Sequence, residues 1–391
     1  MYRRTVIKSV RIRNLRSAKD LTLEMGRLNC LVGPNGSGKS SILGAFQILT
    51  EYASRGYDAT GEIAKAAGSH SPPGRDSGLL LGLDFEGDIS DSSGEVRAFS
   101  YSLEISRQQR GWTSVSREWF RYTDHDKIVT LLEYPSKTAG GMAQFYREDG
   151  TPSMGIGVGA GGQSPLGMAA QQVEDTTFSR FAREVLSWYH LSLTPQYAKE
   201  SEPAKRQHRL DISGTNLSAV LHSIHSEDYQ TFLRIVETLR AAVPEIESVQ
   251  VPITSEGTTH IQIHEAGVRH PLPIWALSEG TIALLQLFTV LEMKDPPPLI
   301  TIDEPENFVH PGLISNIVES LKHASGSSQV LVATHSPFLV NLLQPSELFI
   351  VEKVEGATNV RAASSQNGIA EAVRLLGLGE LWRTGAIGGV P

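Results

Sequence analysis

The sequence has almost no cysteine and no long apolar run. Cys30 is the only cysteine among 391 residues, so an intrachain disulfide is excluded and a reducing compartment suits the chain. No apolar run reaches the ~18 residues that a transmembrane helix needs, and the basic N-terminus is not followed by an apolar signal core. We therefore expect a cytoplasmic protein that has no membrane partner.

The chain also lacks an excess of positive charge, internal repeats and sustained heptads. Its formal net charge is −8, so charge alone does not attract nucleic acid, and a DNA contact would need a local basic patch. Without heptads, long coiled-coil arms are excluded. Hydrophobic residues make up 40% and charged residues 20% of the chain, which is typical of a protein that buries a sizeable core.

Hydrophobic periodicity in the N-terminal part predicts strands on both sides of one helix. Strands are expected through Ile12, near Leu21–Leu23, and over Leu28–Val32, Leu79–Phe85, Val96–Ile105 and Ile128–Glu133. The helix is expected over Ser40–Leu49, because its apolar residues share one face. Residues 135–165 are rich in Gly, Ser and Pro, which predicts a loop.

The remaining chain is predicted to be mainly helical at first and then α/β. Helices are expected over Phe178–Tyr189, Asn216–Ile224 and Tyr229–Ala242, and a hairpin is expected from Val249–Ile253 and His260–His264. From Leu277 onward helices and strands alternate, which is typical of a parallel sheet. We interpret residues 1–391 as one domain, with an N-terminal lobe (1–135), a Gly-rich loop (136–169), a helical subdomain (170–245) and a C-terminal lobe (246–391).

A phosphate-binding loop follows the strand over Leu28–Val32. Residues 33–40 read Gly-Pro-Asn-Gly-Ser-Gly-Lys-Ser, which fits the pattern G-x-x-x-x-G-K-[ST] between a strand and a helix. Lys39 would add a positive charge, and the Ser40 hydroxyl would bind magnesium. The residues predicted to hold the phosphates are Asn35, Gly36, Ser37, Gly38, Lys39, Ser40 and Ser41.

Two later apolar strands end in polar side chains. Pro298–Glu304 ends in the carboxylates of Asp303 and Glu304. Such a strand is buried on both faces, so its carboxyl end meets the crevice where α/β sheets bind ligands. Asp303 would hold magnesium and Glu304 would polarise a water. The strand over Gln329–Thr334 is followed by His335, which could reach a γ-phosphate.

A helix is predicted to begin just after Ser278. This serine suits an N-cap, and Gly280 would allow a phosphate to approach the first turn. The same residues also fit an ordinary capped core helix. In their place about 25 residues before Asp303, they look like the signature motif of the ABC ATPases.

In this order, the phosphate loop, the Ser278 motif, the Asp303–Glu304 strand and His335 resemble the ABC ATPase superfamily. Ser9–Ser17 resembles the opening strand of RecF-like and SMC-like proteins. Residues 304–307 (Glu-Pro-Glu-Asn) and 334–337 (Thr-His-Ser-Pro) are similar to stand-alone AAA-family ATPases related to RecF and the OLD nucleases. The resemblance implies an α/β head with a mixed parallel sheet, an antiparallel β subdomain and a helical subdomain.

The resemblance also implies roles for individual residues, with ATP and Mg²⁺ as cofactors. Glu304 would be the catalytic base and His335 the γ-phosphate switch. Ser278 and Gly280 would contact the ATP held by the other protomer of a head-to-tail homodimer. Arg16 and Ser17 would touch the nucleotide. These ATPases use a glutamine as a further magnesium ligand, for which Gln163 and Gln171 are both candidates.

Two functions remain open at this point. In the first, ATP hydrolysis drives closure and opening of the dimer, coupled to DNA or to a partner protein in DNA repair or antiviral defence. In the second, slow hydrolysis times a scaffold that holds a separate nuclease or toxin. The residues after His335 contain no Asp-x-Asp pair, so such an activity is expected from another chain. A transporter engine fits the nucleotide motifs but not the RecF-like blocks.

Two weaker patterns also have alternative interpretations. Gly157, Gly159 and Gly162 fit G-x-G-x-x-G, but no predicted strand precedes them, so an ordinary loop is favoured. Arg11 and Arg13 could form a DNA-binding patch. They could equally be a solvated sheet edge that discourages strand pairing.

Overall fold

The computed structural model describes residues 4–56, 59, 63, 78–91, 93–107, 113–135, 142–157, 162–171 and 175–389. Within these ranges, the chain forms an eight-stranded antiparallel sheet and a six-stranded, mainly parallel sheet. Helices cover the six-stranded sheet on both faces. Two small antiparallel sheets complete the fold.

The eight-stranded sheet has the order β2-β1-β4-β5-β6-β7-β8-β9. Its strands are β1 (Val6–Leu15), β2 (Ala18–Glu24), β4 (Gly78–Ser90), β5 (Val96–Arg107), β6 (Thr113–Asp124), β7 (Lys127–Tyr134), β8 (Ala143–Tyr146) and β9 (Pro152–Ile156). The strands predicted near residues 12, 21–23, 79–85, 96–105 and 128–133 are confirmed, although most are longer than expected.

Three strands of this sheet differ from the sequence prediction. The loop predicted over residues 135–165 is wrong at β8 and β9, because β9 is an exposed edge strand that has no buried face to read from the sequence. Its proline stands at the first position, where a strand tolerates a missing N–H. In β6 the buried residues Val115 and Glu118 are three apart, so a bulge breaks the alternation that would have revealed the strand.

The six-stranded sheet has the order β10-β16-β17-β3-β18-β19, and only the β18–β19 pair is antiparallel. Its strands are β3 (Leu28–Val32), β10 (Tyr189–Leu191), β16 (Leu299–Asp303), β17 (Gln329–Ala333), β18 (Leu348–Val354) and β19 (Ala357–Ala362). The predicted parallel sheet is confirmed. The helix expected to reach Tyr189 ends earlier, because Trp188 is extended and leads into β10.

This sheet separates two hydrophobic cores. In β3, Leu28, Cys30 and Val32 face one core, and Leu31 faces the other. β16, β17 and β18 alternate in the same way, which explains why these strands read as continuous apolar runs. Cys30 packs in the first of these cores, and burial raises the pKa of its thiol well above its usual value.

The helices lie on the two faces of the six-stranded sheet and beside the antiparallel sheet. They are α1 (Lys39–Arg55), α2 (Pro165–Gln171), α3 (Thr177–Ser187), α4 (Leu217–Glu227), α5 (Tyr229–Ala242), α6 (Glu279–Leu291), α7 (Ile314–Ser325), α8 (Pro337–Val340), α9 (Ile369–Leu376) and α10 (Leu378–Arg383). None of the helices in the described ranges is long and apolar enough to cross a membrane.

Short elements connect these layers. The predicted hairpin is present, since β12 (Ile246–Gln250) pairs antiparallel with β14 (Gln262–Glu265). The other short strands are β11 (Glu202–Pro203), β13 (Thr258–Thr259) and β15 (Leu272–Pro273). Short 3-10 helices span Pro195–Ala198, Ile274–Ala276, Pro311–Leu313, Pro345–Glu347 and Ala363–Ser365.

Candidate functional site

The phosphate-binding loop connects β3 to α1 at the carboxyl edge of the six-stranded sheet. Gly38 has φ +115°, and a Cβ there would collide with the side chain of Thr358, so only glycine fits. Lys39 is buried, and its ammonium group donates to the carbonyl oxygens of Gly33 at 2.8 Å and Pro34 at 3.2 Å. Burial lowers the pKa of Lys39, against the opposing effect of the nearby carboxylates.

Asp303 lies directly beside the start of α1. The Ser40 hydroxyl donates to Asp303 Oδ2 at 3.2 Å, although the two residues are far apart in sequence. Burial raises the pKa of Asp303, and the hydrogen bond from Ser40 opposes that rise. A hydroxyl and a carboxylate in contact are a suitable start for a magnesium site, because Mg²⁺ takes few protein oxygens and completes its shell with waters and phosphates.

No larger metal centre is present in the part of the chain that the structure describes. There, no three His, Cys, Asp or Glu side chains group as ligands. Gln163 and Gln171 hydrogen-bond to each other on the surface at 3.2 Å. Neither lines a cavity that contains Ser40 and Asp303, so the structure does not bring these two candidates to the site. Another glutamine, Gln47, lines a cavity that contains Ser40 and Asp303. Its side-chain amide donates to Glu51 at 2.8 Å.

Glu304 follows Asp303 in a left-handed backbone conformation, with φ +52°. This conformation costs a non-glycine residue on the order of 1–2 kcal/mol. The backbone is held there because the Glu304 N–H donates to the Ala333 carbonyl at 2.8 Å. Its carboxylate accepts from Asn307 Nδ2 at 2.5 Å. The strained turn therefore fixes the direction of the Glu304 side chain at the edge of the sheet.

His335 faces Glu304 across this edge. Its Nε2 lies 3.7 Å from Glu304 Oε1. Burial lowers the pKa of His335, and the charge of Lys39 lowers it further, against the opposing effects of Glu304 and Asp303. The lowered pKa favours the neutral imidazole, which can donate one hydrogen bond and accept another.

Glu306 is a member of this site that the sequence analysis did not assign. Its Oε1 accepts from the Thr334 hydroxyl at 2.6 Å and from the His335 N–H at 2.8 Å. Burial raises the pKa of Glu306. The sequence analysis singled out the motif Glu304-Pro305-Glu306-Asn307, which contains Glu306. Nothing in the sequence indicates that the Glu306 side chain bonds to the residues that follow β17.

A cavity of about 390 Å³ collects most of the predicted nucleotide residues. It is lined by Asn35, Gly36, Gly38, Lys39, Ser40 and Ser41 of the loop, by Arg16 and Ser17, by Glu304 and His335, and by Lys353 and Gly356. Ser37 is buried behind the loop. The sequence analysis did not predict Lys353 of β18 or Gly356 of the β18–β19 turn as lining residues, since this segment has no motif.

Ser278 and Gly280 lie outside this cavity. Ser278 is exposed and caps α6, where its hydroxyl accepts from the Thr281 N–H at 3.1 Å, as predicted for an N-cap. Gly280 has an intrachain reason to be small, because a Cβ there would lie 2.7 Å from the Phe308 carbonyl oxygen. The first turn of α6 therefore packs against the loop that follows Glu304.

The two arginines of β1 are already paired. Arg11 makes two bonds of 2.6–2.7 Å to Asp20, and Arg13 pairs with Asp84 at 3.0 Å and Glu104 at 3.1 Å. The interpretation as a solvated sheet edge is wrong, because β1 lies between β2 and β4.

The glycine pattern at residues 157–162 is only partly within the described ranges. Gly159 lies outside them, while Gly157 directly follows β9. The alternative interpretations of this pattern therefore stay predictions.

Two family models match separate parts of the chain. Residues 171–341 match the model described as "AAA domain, putative AbiEii toxin, Type IV TA system". Residues 6–80 match the model described as "AAA ATPase domain". No curated protein matches the chain.

Solved SMC head domains have a similar fold. An SMC head bound to the C-winged helix domain of ScpA is 15% identical, with a TM-score of 0.52 over 91% of this chain and 97% of that one. An Smc head with an extended coiled coil, bound to the C-terminal domain of ScpA derived from Pyrococcus furiosus, is 14% identical, with a TM-score of 0.53 over 95% and 100%. At these identities the likeness establishes the fold.

The fold and the family models together describe the chain. It has the fold of SMC head domains. The phosphate loop Gly33–Ser40 lies in the region that matches one AAA ATPase model, and the paired carboxylates Asp303 and Glu304 lie in the region that matches the other. The predicted α/β architecture, with a mixed parallel sheet and an antiparallel sheet, is confirmed. The relation to the OLD nucleases stays a prediction.

Proposed function

We propose that the chain binds ATP with Mg²⁺ in the 390 Å³ cavity and hydrolyses it to ADP and phosphate. The observation that carries this proposal is the contact between Ser40 and Asp303, with Glu304 lining the same cavity as Lys39. Bound magnesium would neutralise and orient the phosphates. Lys39 would exchange its two carbonyl partners for phosphate oxygens, since it is buried with its charge at the loop.

Four side chains of the cavity would act on the nucleotide or on the attacking water. Glu304 would accept a proton from the water, because its carboxylate lines the cavity and is held by Asn307. His335 would donate from its neutral ring to a γ-phosphate oxygen, and the loss of that oxygen on hydrolysis would free the ring. Arg16 and Ser17 would contact the nucleoside, because they line the same cavity from the β1–β2 turn.

Nucleotide binding and turnover test this proposal directly. Calorimetry should show ATP binding that depends on Mg²⁺, and phosphate release should be measurable. Lys39→Ala should weaken ATP binding, because it removes the only side-chain cation of the phosphate loop. An exposed lysine such as Lys322 provides the control variant, Lys322→Ala, which should bind normally. No ATP binding by the wild-type protein would refute the proposal.

We also propose that two copies assemble head-to-tail around two ATP molecules. Ser278 is exposed, and the half-buried residues Glu279–Thr281 follow it in the first turn of α6. None of them lines the cavity that contains the phosphate loop of the same chain. The N-terminus of a helix favours an anion, so the γ-phosphate held by a second copy suits this turn. The contact of Gly280 with the Phe308 carbonyl would link this surface to the loop that carries Glu304.

Light scattering tests the assembly. Glu304→Gln should be a dimer with ATP and a monomer without it. Adding Ser278→Arg to this variant should abolish the dimer, and Ser278→Arg alone should abolish hydrolysis. Both should leave the ATP affinity of the monomer within about 3-fold, because the new side chain blocks only the facing site. Ser226→Arg, at another exposed helical serine, is the control. A protein that hydrolyses ATP fully while it stays monomeric would contradict the proposed dimer.

For the coupled partner, we propose a separate effector protein rather than DNA. The arginines of β1 are engaged by carboxylates of the same sheet, which leaves little positive charge for phosphates. Both SMC heads compared above were solved with a domain of ScpA bound, so a protein partner on this fold is supported by analogy. Hydrolysis should therefore be slow and should not respond to duplex DNA. If duplex DNA strongly stimulated hydrolysis, and Arg11→Glu/Arg13→Glu removed that stimulation, hydrolysis coupled to DNA would be favoured instead.

A further inference from the structure

Thr358, in β19, contacts three separate walls of the nucleotide cavity. Its backbone N–H donates to the Ser17 carbonyl at 2.7 Å, which ties β19 to the β1–β2 turn. Its strand partner is Lys353, near the end of β18. Its side chain packs against Gly38 so closely that no Cβ fits there. Thr358 is itself 4% exposed, so it lies behind the cavity and not in it.

The Thr358 hydroxyl adds two further contacts. Its Oγ1 lies 2.8 Å from Ser17 Oγ and 2.8 Å from the Ser37 carbonyl oxygen, and it is the donor toward both. A hydroxyl has one proton, so Thr358 shares that proton between the Ser37 carbonyl and the Ser17 hydroxyl. A hydroxyl at this position joins the β1–β2 turn to the phosphate loop, which no apolar side chain of the same shape could do.

We propose that Thr358 is a positioning residue that sets the distance between the nucleoside wall of the cavity and its phosphate loop. This rests on the proposed ATP binding. Arg16 and Ser17 belong to the eight-stranded sheet and the loop belongs to the six-stranded sheet. The phosphates bind the loop, whereas the nucleoside reaches the β1–β2 turn. Thr358 thus controls whether one ligand can satisfy both walls at once.

The proposal predicts a loss that depends on the nucleoside. Thr358→Val keeps the side-chain shape but removes both hydroxyl contacts, so ATP should bind about 10-fold more weakly, the effect of one or two hydrogen bonds. Inorganic tripolyphosphate with Mg²⁺ should bind within about 2-fold of wild type, because it contacts the loop alone. Thr358→Ser keeps the hydroxyl and should bind both ligands like wild type.

Calorimetry with Mg²⁺-ATP and Mg²⁺-tripolyphosphate on the full chain is the test. Ser17→Ala is the second variant, because it removes the side-chain contact with the turn and leaves the Thr358–Ser37 bond and the backbone bond to Ser17 intact; it should also weaken ATP binding selectively. Equal losses for both ligands would show that Thr358 only supports the loop, and no loss would show that it has no role; either result overturns the proposal. A wild-type protein that binds neither ligand would refute the proposed function instead.

Discussion

The backbone N–H of His335 donates a hydrogen bond of 2.8 Å to the carboxylate of Glu306. The same oxygen accepts from the Thr334 hydroxyl at 2.6 Å, so Glu306 joins the loop after β16 to the end of β17. The other oxygen, Oε2, is buried without a hydrogen-bond partner within the described residues. Glu306 therefore fixes the position of His335 relative to Glu304 without facing the cavity itself.

Replacing Glu306 should impair turnover more than binding. Glu306→Ala removes the acceptor for His335, so hydrolysis should fall about 10-fold, while ATP affinity stays within about 2-fold because the loop residues are unchanged. Glu306→Gln keeps a carbonyl oxygen at the same place and is the matched control, expected near wild type. Phosphate release and calorimetry give the two quantities. Normal turnover of Glu306→Ala would contradict this role.

The sequence alone predicts the parts of the site that are contiguous. Gly33–Ser40 is a local motif, and Asp303 and Glu304 end a strand whose apolar run indicates burial on both faces. Because carboxyl ends of parallel strands share one edge, the meeting of Ser40 with Asp303 also follows. In the structure, the Ser40 hydroxyl lies 3.2 Å from Asp303 Oδ2.

Contacts between remote, motif-free segments could not be predicted. Thr358 and Ser37 are 321 residues apart, and neither position carries a pattern that relates them. β10 has three residues, too few for alternation to be read. Charges also mislead without their partners, since Arg13 is opposed by Asp84 and Glu104 from β4 and β5.

The paired arginines of β1 should differ in their effect on stability. The Arg13 side chain is 20% exposed and bonds two carboxylates, so Arg13→Ala should lower the free energy of unfolding by roughly 1–3 kcal/mol, because both carboxylates lose a charged donor. The Arg11–Asp20 pair is about half exposed on both sides, so Arg11→Ala should lower the free energy of unfolding less, because water solvates the remaining carboxylate. Urea denaturation of both variants measures this order, and the reverse order would contradict it.

Glu118 should make stability depend on pH. It is fully buried, accepts hydrogen bonds from Tyr52 at 2.6 Å and Tyr101 at 3.0 Å, and burial raises its pKa from 4.5 to about 7. The folded state therefore holds this proton more tightly than the unfolded state. Its contribution is complete below about pH 4.5 and is lost as the pH rises to about 7, a change of about 3 kcal/mol.

The variant Glu118→Gln isolates that contribution, because it keeps the shape and cannot ionise. The difference in the free energy of unfolding between wild type and Glu118→Gln should shift in favour of the variant between about pH 5 and pH 8, and then level off. Urea denaturation across this range measures it. If the free energies of unfolding of wild type and Glu118→Gln ran parallel across this pH range, the pKa of Glu118 would be the same in the folded and unfolded states.

The central claim is that Glu304 activates water for ATP hydrolysis at the edge formed by Asp303, Glu304 and His335. The most direct measurement is the rate of phosphate release in a single turnover of Glu304→Gln, with ATP affinity measured on the same sample. The account predicts a rate at least about 10²-fold below wild type with ATP affinity retained, because the phosphate loop is untouched. A near-normal rate in Glu304→Gln would contradict it.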